Sequence, residues 1–179
     1  MIRSASAAVL LAALAASPAA ASETRSSSAH EHGHGQLNIA IEGNSVLMEL
    51  EIPGADIVGF EHEAKSDADK AAMTDAEKKL KDGAALFHFQ GATCTFAQAQ
   101  VEDGHEDHGK QPAAQEEQHS EFHVAYEISC DDASRLTGIE FPFFAVFPHS
   151  EELDVTVLGA QGQFKYEVER DTPMLPLKN

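Results

Sequence analysis

Apolar and polar residues alternate in three stretches of the chain, and each stretch reads as an antiparallel hairpin. In the first, Leu37, Ile39 and Ile41 alternate with polar or small residues, as do Val46, Met48, Leu50 and Ile52. A two-residue turn at Gly43-Asn44 pairs Ile41 with Val46, Ile39 with Met48 and Leu37 with Leu50, so all three pairs share one face. The second pairs residues 93–101 with 121–130. With Cys94 opposite Cys130, Phe96 meets Ile128 and Val101 meets His123. The third places Leu153, Val155 and Val157 against Phe164, Tyr166 and Val168 around a turn at Gln161-Gly162.

Between the first two hairpins the period changes. Residues 55–64 read as a helical turn or compact loop with Ile57, Val58 and Phe60 inward. Ser66 can cap a helix from Asp67 to about Asp82, with Met73, Ala76 and Leu80 as its buried stripe and Gly83 as its C′ residue. Its acidic start and lysine-rich end suit the helix dipole. Residues 85–89 are expected to form a short strand, and 139–149 a short core helix between Pro142 and Pro148. Hairpins with one main helix predict an α+β fold with a mostly antiparallel sheet.

Two stretches do not fit a core. Arg3, the apolar run from Ala7 to Ala16 and Ala19-Ala20-Ala21 together read as a cleaved signal peptide over residues 1–21. That run is too short for the roughly 20 residues that span a bilayer, and no later segment reads as a membrane span. The mature chain is expected to begin near Ser22, with a polar, flexible, histidine-bearing segment over 22–33 and one folded domain over 34–179. Residues 102–120 interrupt the second hairpin with a disordered, acidic, histidine-bearing insert (EDGHEDHGKQPAAQEEQHS from Glu102) of the metal-binding, low-complexity kind.

Export changes the reading of the cysteines. In an oxidising compartment Cys94 and Cys130 are expected to form a disulfide rather than remain free thiols, and their spacing excludes a C-x-x-C redox motif. The net charge of −18 excludes nucleic acid as a partner and favours cations.

The ten histidines carry the chemistry. His30, His32 and His34 alternate ahead of the first strand, so an extended backbone projects them to one side. His105 and His108 form an H-x-x-H interleaved with carboxylates, and His119 and His123 follow at a spacing of four. Clustered neutral imidazoles suit zinc, and also copper or nickel, while carboxylates add charge and further ligand oxygens. Taken singly, His62, His88, His123 and His149 are ordinary surface or turn residues. Protonation competes with metal at an imidazole, so capture should weaken below about pH 6.5. No H-E-x-x-H, G-x-S-x-G or glycine-rich phosphate loop is present, so the chain reads as a non-enzyme. The alternatives are a copper or nickel carrier and, less in keeping with the missing motifs, a metallohydrolase.

Several of these features occur in a fixed order: His32-Gly33-His34-Gly35 running into a strand, Gly59-Phe60-Glu61-His62, a helix, Cys94, the His-rich insert, and His123 before Tyr126 and Cys130. In this the chain resembles the ZrgA-type periplasmic zinc-uptake proteins over essentially its whole mature length. The resemblance implies a periplasmic zinc-binding component acting with a zinc uptake transporter. It puts forward His32, His34, His62 and His123 for a site in the fold, with His105, His108 and His119 of the insert as auxiliary ligands.

Overall fold

The first hairpin forms as its alternation dictates. Strands β1 (His34–Glu42) and β2 (Ser45–Pro53) pair Leu37 with Leu50, Ile39 with Met48 and Ile41 with Val46. The computed structural model describes residues 32–103 and 120–177. The expected signal peptide, residues 22–31 and residues 104–119 of the expected insert lie outside the described residues.

After β2 the chain makes a short helix, α1 (Gly54–Val58), and then α2 (Asp67–Lys81). Ser66 caps α2 in a reciprocal capping box: its hydroxyl accepts from the Asp69 amide, and the Asp69 carboxylate accepts from the Ser66 amide. Met73, Ala76 and Leu80 are the buried stripe, as their spacing requires. Gly83 does not end the helical region. The Asp82 side chain accepts from the Ala85 amide and starts a further turn, α3 (Gly83–Leu86), so residues 85 and 86, expected as strand, are helical. The strand β3 begins only at His88 and ends at Gln90.

The second hairpin consists of β4 (Cys94–Asp103) and β5 (Glu121–Cys130). Cys94 faces Cys130 across the pair, the two are joined by a disulfide, and Phe96 faces Ile128. Beyond that point the register corrects the sequence reading. A bulge between Phe96 and Gln98 adds one residue to β4, so Val101 pairs with Val124 and Glu102, rather than Val101, stands opposite His123.

The aromatic segment gives β6 (Gly138–Glu140) and α4 (Phe143–Val146), which starts at Pro142 as expected. The third hairpin, β7 (Glu152–Gly159) and β8 (Gly162–Glu169), sets the expected apolar residues against one another, Leu153 with Val168, Val155 with Tyr166 and Val157 with Phe164. Its turn is Ala160-Gln161, one residue earlier than expected, because Gly159 pairs with Gly162. A final strand, β9 (Met174–Pro176), was not apparent in the sequence.

The fold is α+β. Six strands form one sheet in the order β4-β5-β2-β1-β7-β8, antiparallel except where β1 and β7 run parallel; β3, β6 and β9 form a small antiparallel sheet. One face of the large sheet buries Leu37, Ile39, Leu50, Val124, Tyr126 and Val155, in a core continuous with Leu80, Phe87, Phe141 and Phe143. The alternate positions, among them Gln36, Asn38, Glu49, Asp154 and Glu167, are exposed on the other face. Among the described residues, no helix is long and apolar enough to cross a membrane.

Candidate metal-binding site

The H-x-H-G motif owes its shape to its two glycines. Gly33 has a φ of +88°, in the left-handed region that favours glycine. Gly35 is buried where an added Cβ would lie 2.8 Å from a Leu153 methyl and 3.1 Å from the Glu51 carbonyl. The turn is tied on both sides. The Gly33 amide donates to both carboxylate oxygens of Asp56 in α1, at 2.8 and 3.0 Å. Its carbonyl accepts from the amides of Glu151 and Glu152 at 2.7 and 2.9 Å. His32 and His34, either side of this glycine, are therefore set by backbone contacts to α1 and to the start of β7.

Each imidazole then meets a carboxylate. His32 Nε2 lies 3.6 Å from Glu61, and His34 Nδ1 lies 3.9 Å from Glu152, its register partner on β7. His123 stands between two: Nε2 is 3.2 Å from Glu121 and Nδ1 is 3.9 Å from Glu51, its partner on β2. Because of the β4 bulge, Glu102 flanks His123 on the other side. His62 takes a different direction. Its ring stacks on Phe60 at 4.6 Å and 10°, and Nδ1 lies 3.1 Å from the Glu63 carbonyl. His88 sits 3.9 Å from Glu140 beside the small sheet, and His149 is an exposed turn residue.

The strand registers put His34 and His123 at the same end of the large sheet, where β1 and β5 begin and β2 ends. The insert is rooted there too. Glu102 and Asp103, expected as its first residues, belong to β4, and Ser120, its last, donates its amide to the Glu61 carbonyl (3.2 Å) while its carbonyl accepts from the Gly54 amide (2.7 Å). His32, His34, His62 and His123 thus share a region, but their ligand atoms are not gathered around one point. Among the described residues, Glu152, Asp154 and Glu167 form the one group of three whose ligand oxygens lie within 4.8 Å of one another, and no imidazole belongs to it. His105, His108 and His119 lie outside the described residues.

The carboxylates that partner the imidazoles were missed as site residues in the sequence. Glu61 stood inside the G-F-E-H motif, and Glu51 and Glu152 were legible only as polar positions of alternating strands. Asp56 gave a fainter signal, a lone acid in the apolar turn Ala-Asp-Ile-Val. Burial pushes its pKa up, while the Gly33 amide and the nearby His32 and His34 work against that shift and Glu61 adds to it.

A family model described as ZrgA family zinc uptake protein matches residues 29–177. Comparison of the chain with curated proteins gives no match.

Proposed function

The chain belongs to the ZrgA family of zinc uptake proteins, and on that premise we propose that it captures zinc in the periplasm, on histidines, for delivery to a zinc uptake transporter. The ligands in this reading are His32, His34, His62 and His123 of the fold, with His105, His108 and His119 of the insert as auxiliary ligands. The observation that carries it is the pairing of His32, His34 and His123 with carboxylates at 3.2–3.9 Å. Glu121 is within hydrogen-bond reach of His123, and a carboxylate so bonded orients an imidazole and raises its basicity, as around zinc-ligating histidines; the longer contacts act through charge. For His32 and His34 the other ring nitrogen has no partner among the described residues and is the one proposed to take the metal. Zinc is cargo here, so partly exposed ligands suit a site that must release what it binds.

Export by the amino-terminal signal peptide and the role of the insert are parts of the same proposal. Ser120, at the end of the insert, is bonded to Glu61, the carboxylate partner of His32, which supports an auxiliary role for the insert. The test is a calorimetric zinc titration of the oxidised mature chain, of a variant with His32, His34, His62 and His123 replaced by alanine, and of a deletion of residues 104–119. The fourfold variant is expected to lose the tightest binding, and the deletion to lose capacity while keeping it. Loss of all tight binding in the deletion would refute this division of labour.

A further inference from the structure

Asp56 is the only buried charged residue among those described, at 2% exposure. A carboxylate has lone pairs for about four hydrogen bonds. Among the described residues Asp56 receives one donor, the Gly33 amide, shared between its two oxygens. Holding one backbone amide does not need a charge. A neutral acceptor would satisfy it with a smaller desolvation cost, since a buried ion is expensive unless compensated. The groups placed to act on this charge are His32, His34 and Glu61. Glu61 is itself an acid, so of these three groups the imidazoles alone, protonated or metal-bound, can offset a negative charge on Asp56.

We propose that Asp56 is a positioning residue of the zinc site, which fixes the His32-Gly33-His34 turn and offsets, with its buried negative charge, the cation held by those two imidazoles. The inference rests on the reading of His32 and His34 as zinc ligands. It accounts for two facts together. The carboxylate reaches the motif through the glycine between the histidines, and an acid stands where a neutral acceptor would suffice for the backbone. Gly33 is also held through its carbonyl by the amides of Glu151 and Glu152, so the backbone of the turn keeps an anchor when the Asp56 charge is removed.

The substitution Asp56→Asn keeps the size and an acceptor for the Gly33 amide while removing the charge. Zinc affinity of the full mature chain is measured by competition with a chromogenic chelator, alongside wild type and H32A/H34A, with circular dichroism and melting as controls for folding. D56N is expected to fold and to bind zinc about 10- to 100-fold more weakly at the site that H32A/H34A removes. A role limited to holding the backbone predicts no such loss. D56N binding like wild type, with H32A/H34A still losing the site, overturns the role of Asp56 and leaves the zinc reading intact. H32A/H34A binding like wild type overturns both. Should D56N fail to fold, the unmodified protein still decides. Zinc is expected to shift the Gly33 amide resonance and slow its hydrogen exchange, and a Gly33 amide indifferent to zinc overturns the proposal.

Discussion

Asp131 shows how much one exposed carboxylate can organise. It follows the disulfide cysteine Cys130 and accepts from the amides of Thr93 (2.9 Å) and Asp132 (2.8 Å), while Arg135 donates to its other oxygen at 2.8 Å. The Thr93 amide, then the Arg135 and Asp132 donors, hold its pKa below the usual 3.8. A carboxyl whose folded pKa is depressed contributes stability that is present above the unfolded value and lost as pH falls through the folded one. Asp131→Asn is therefore expected to be less stable than wild type in urea unfolding near pH 7, with the difference narrowing as pH drops below 3.8. A difference that stayed constant into acid would show that the charge contributes nothing. At this scale the site was half legible. Imidazoles stand out by their scarcity elsewhere, so His32, His34 and His123 were visible as candidates. Asp56, Glu61 and Glu152 were not, because acids are common in a chain of net charge −18 and only the fold says which of them faces a ring.

Among the elements, the β4–β5 hairpin shows most clearly what the sequence holds and what it hides. Its cysteines and its alternation gave the register as far as Phe96. The slip after that was invisible because Ala97 and Ala99 look alike in sequence, and either could face the core. The structure turns Ala99 and Val101 towards Tyr126 and Val124, which moves Glu102 beside His123. The first and third hairpins were readable because unbroken alternation and a tight turn fix a register together. The three-residue strands β3, β6 and β9 were not, being too short to show a period. The disulfide is the element's main constraint: it closes a loop of sequence separation 36. In the chain-entropy model such a cross-link is worth about 3–4 kcal/mol. Unfolding in urea with and without reductant should show a loss of that size. A negligible change would mean that β4 and β5 hold together without it.

Across the whole molecule, the registers line up one row of side chains over all six strands: Glu102, His123, Glu51, Gln36, Asp154 and Glu167. The row lies on the open face of the sheet and contains four carboxylates, one imidazole and no lysine or arginine. His34 and Glu152 stand one step further along the strands, so the candidate ligands sit within the negative field of that row. A concentration of like charge on a solvent face costs stability, but it raises the local concentration of cations and speeds their encounter. Exposed charges act over about 8 Å at physiological ionic strength and much less at high salt, so the effect belongs to the rate of capture more than to final affinity. Neutralising Asp154 and Glu167 together (D154N/E167Q), which leaves the His34 partner Glu152 intact, should slow zinc association several-fold at low ionic strength, as followed by stopped-flow mixing with a fluorescent zinc indicator. At about 1 M salt, where the Debye length falls to about 3 Å, the variant and wild type should converge. The number of zinc ions bound at equilibrium should stay the same, since the imidazoles are intact. Equal rates at low salt would mean that the acidic face plays no part in collecting the ion, and a drop in stoichiometry would make these carboxylates ligands in their own right.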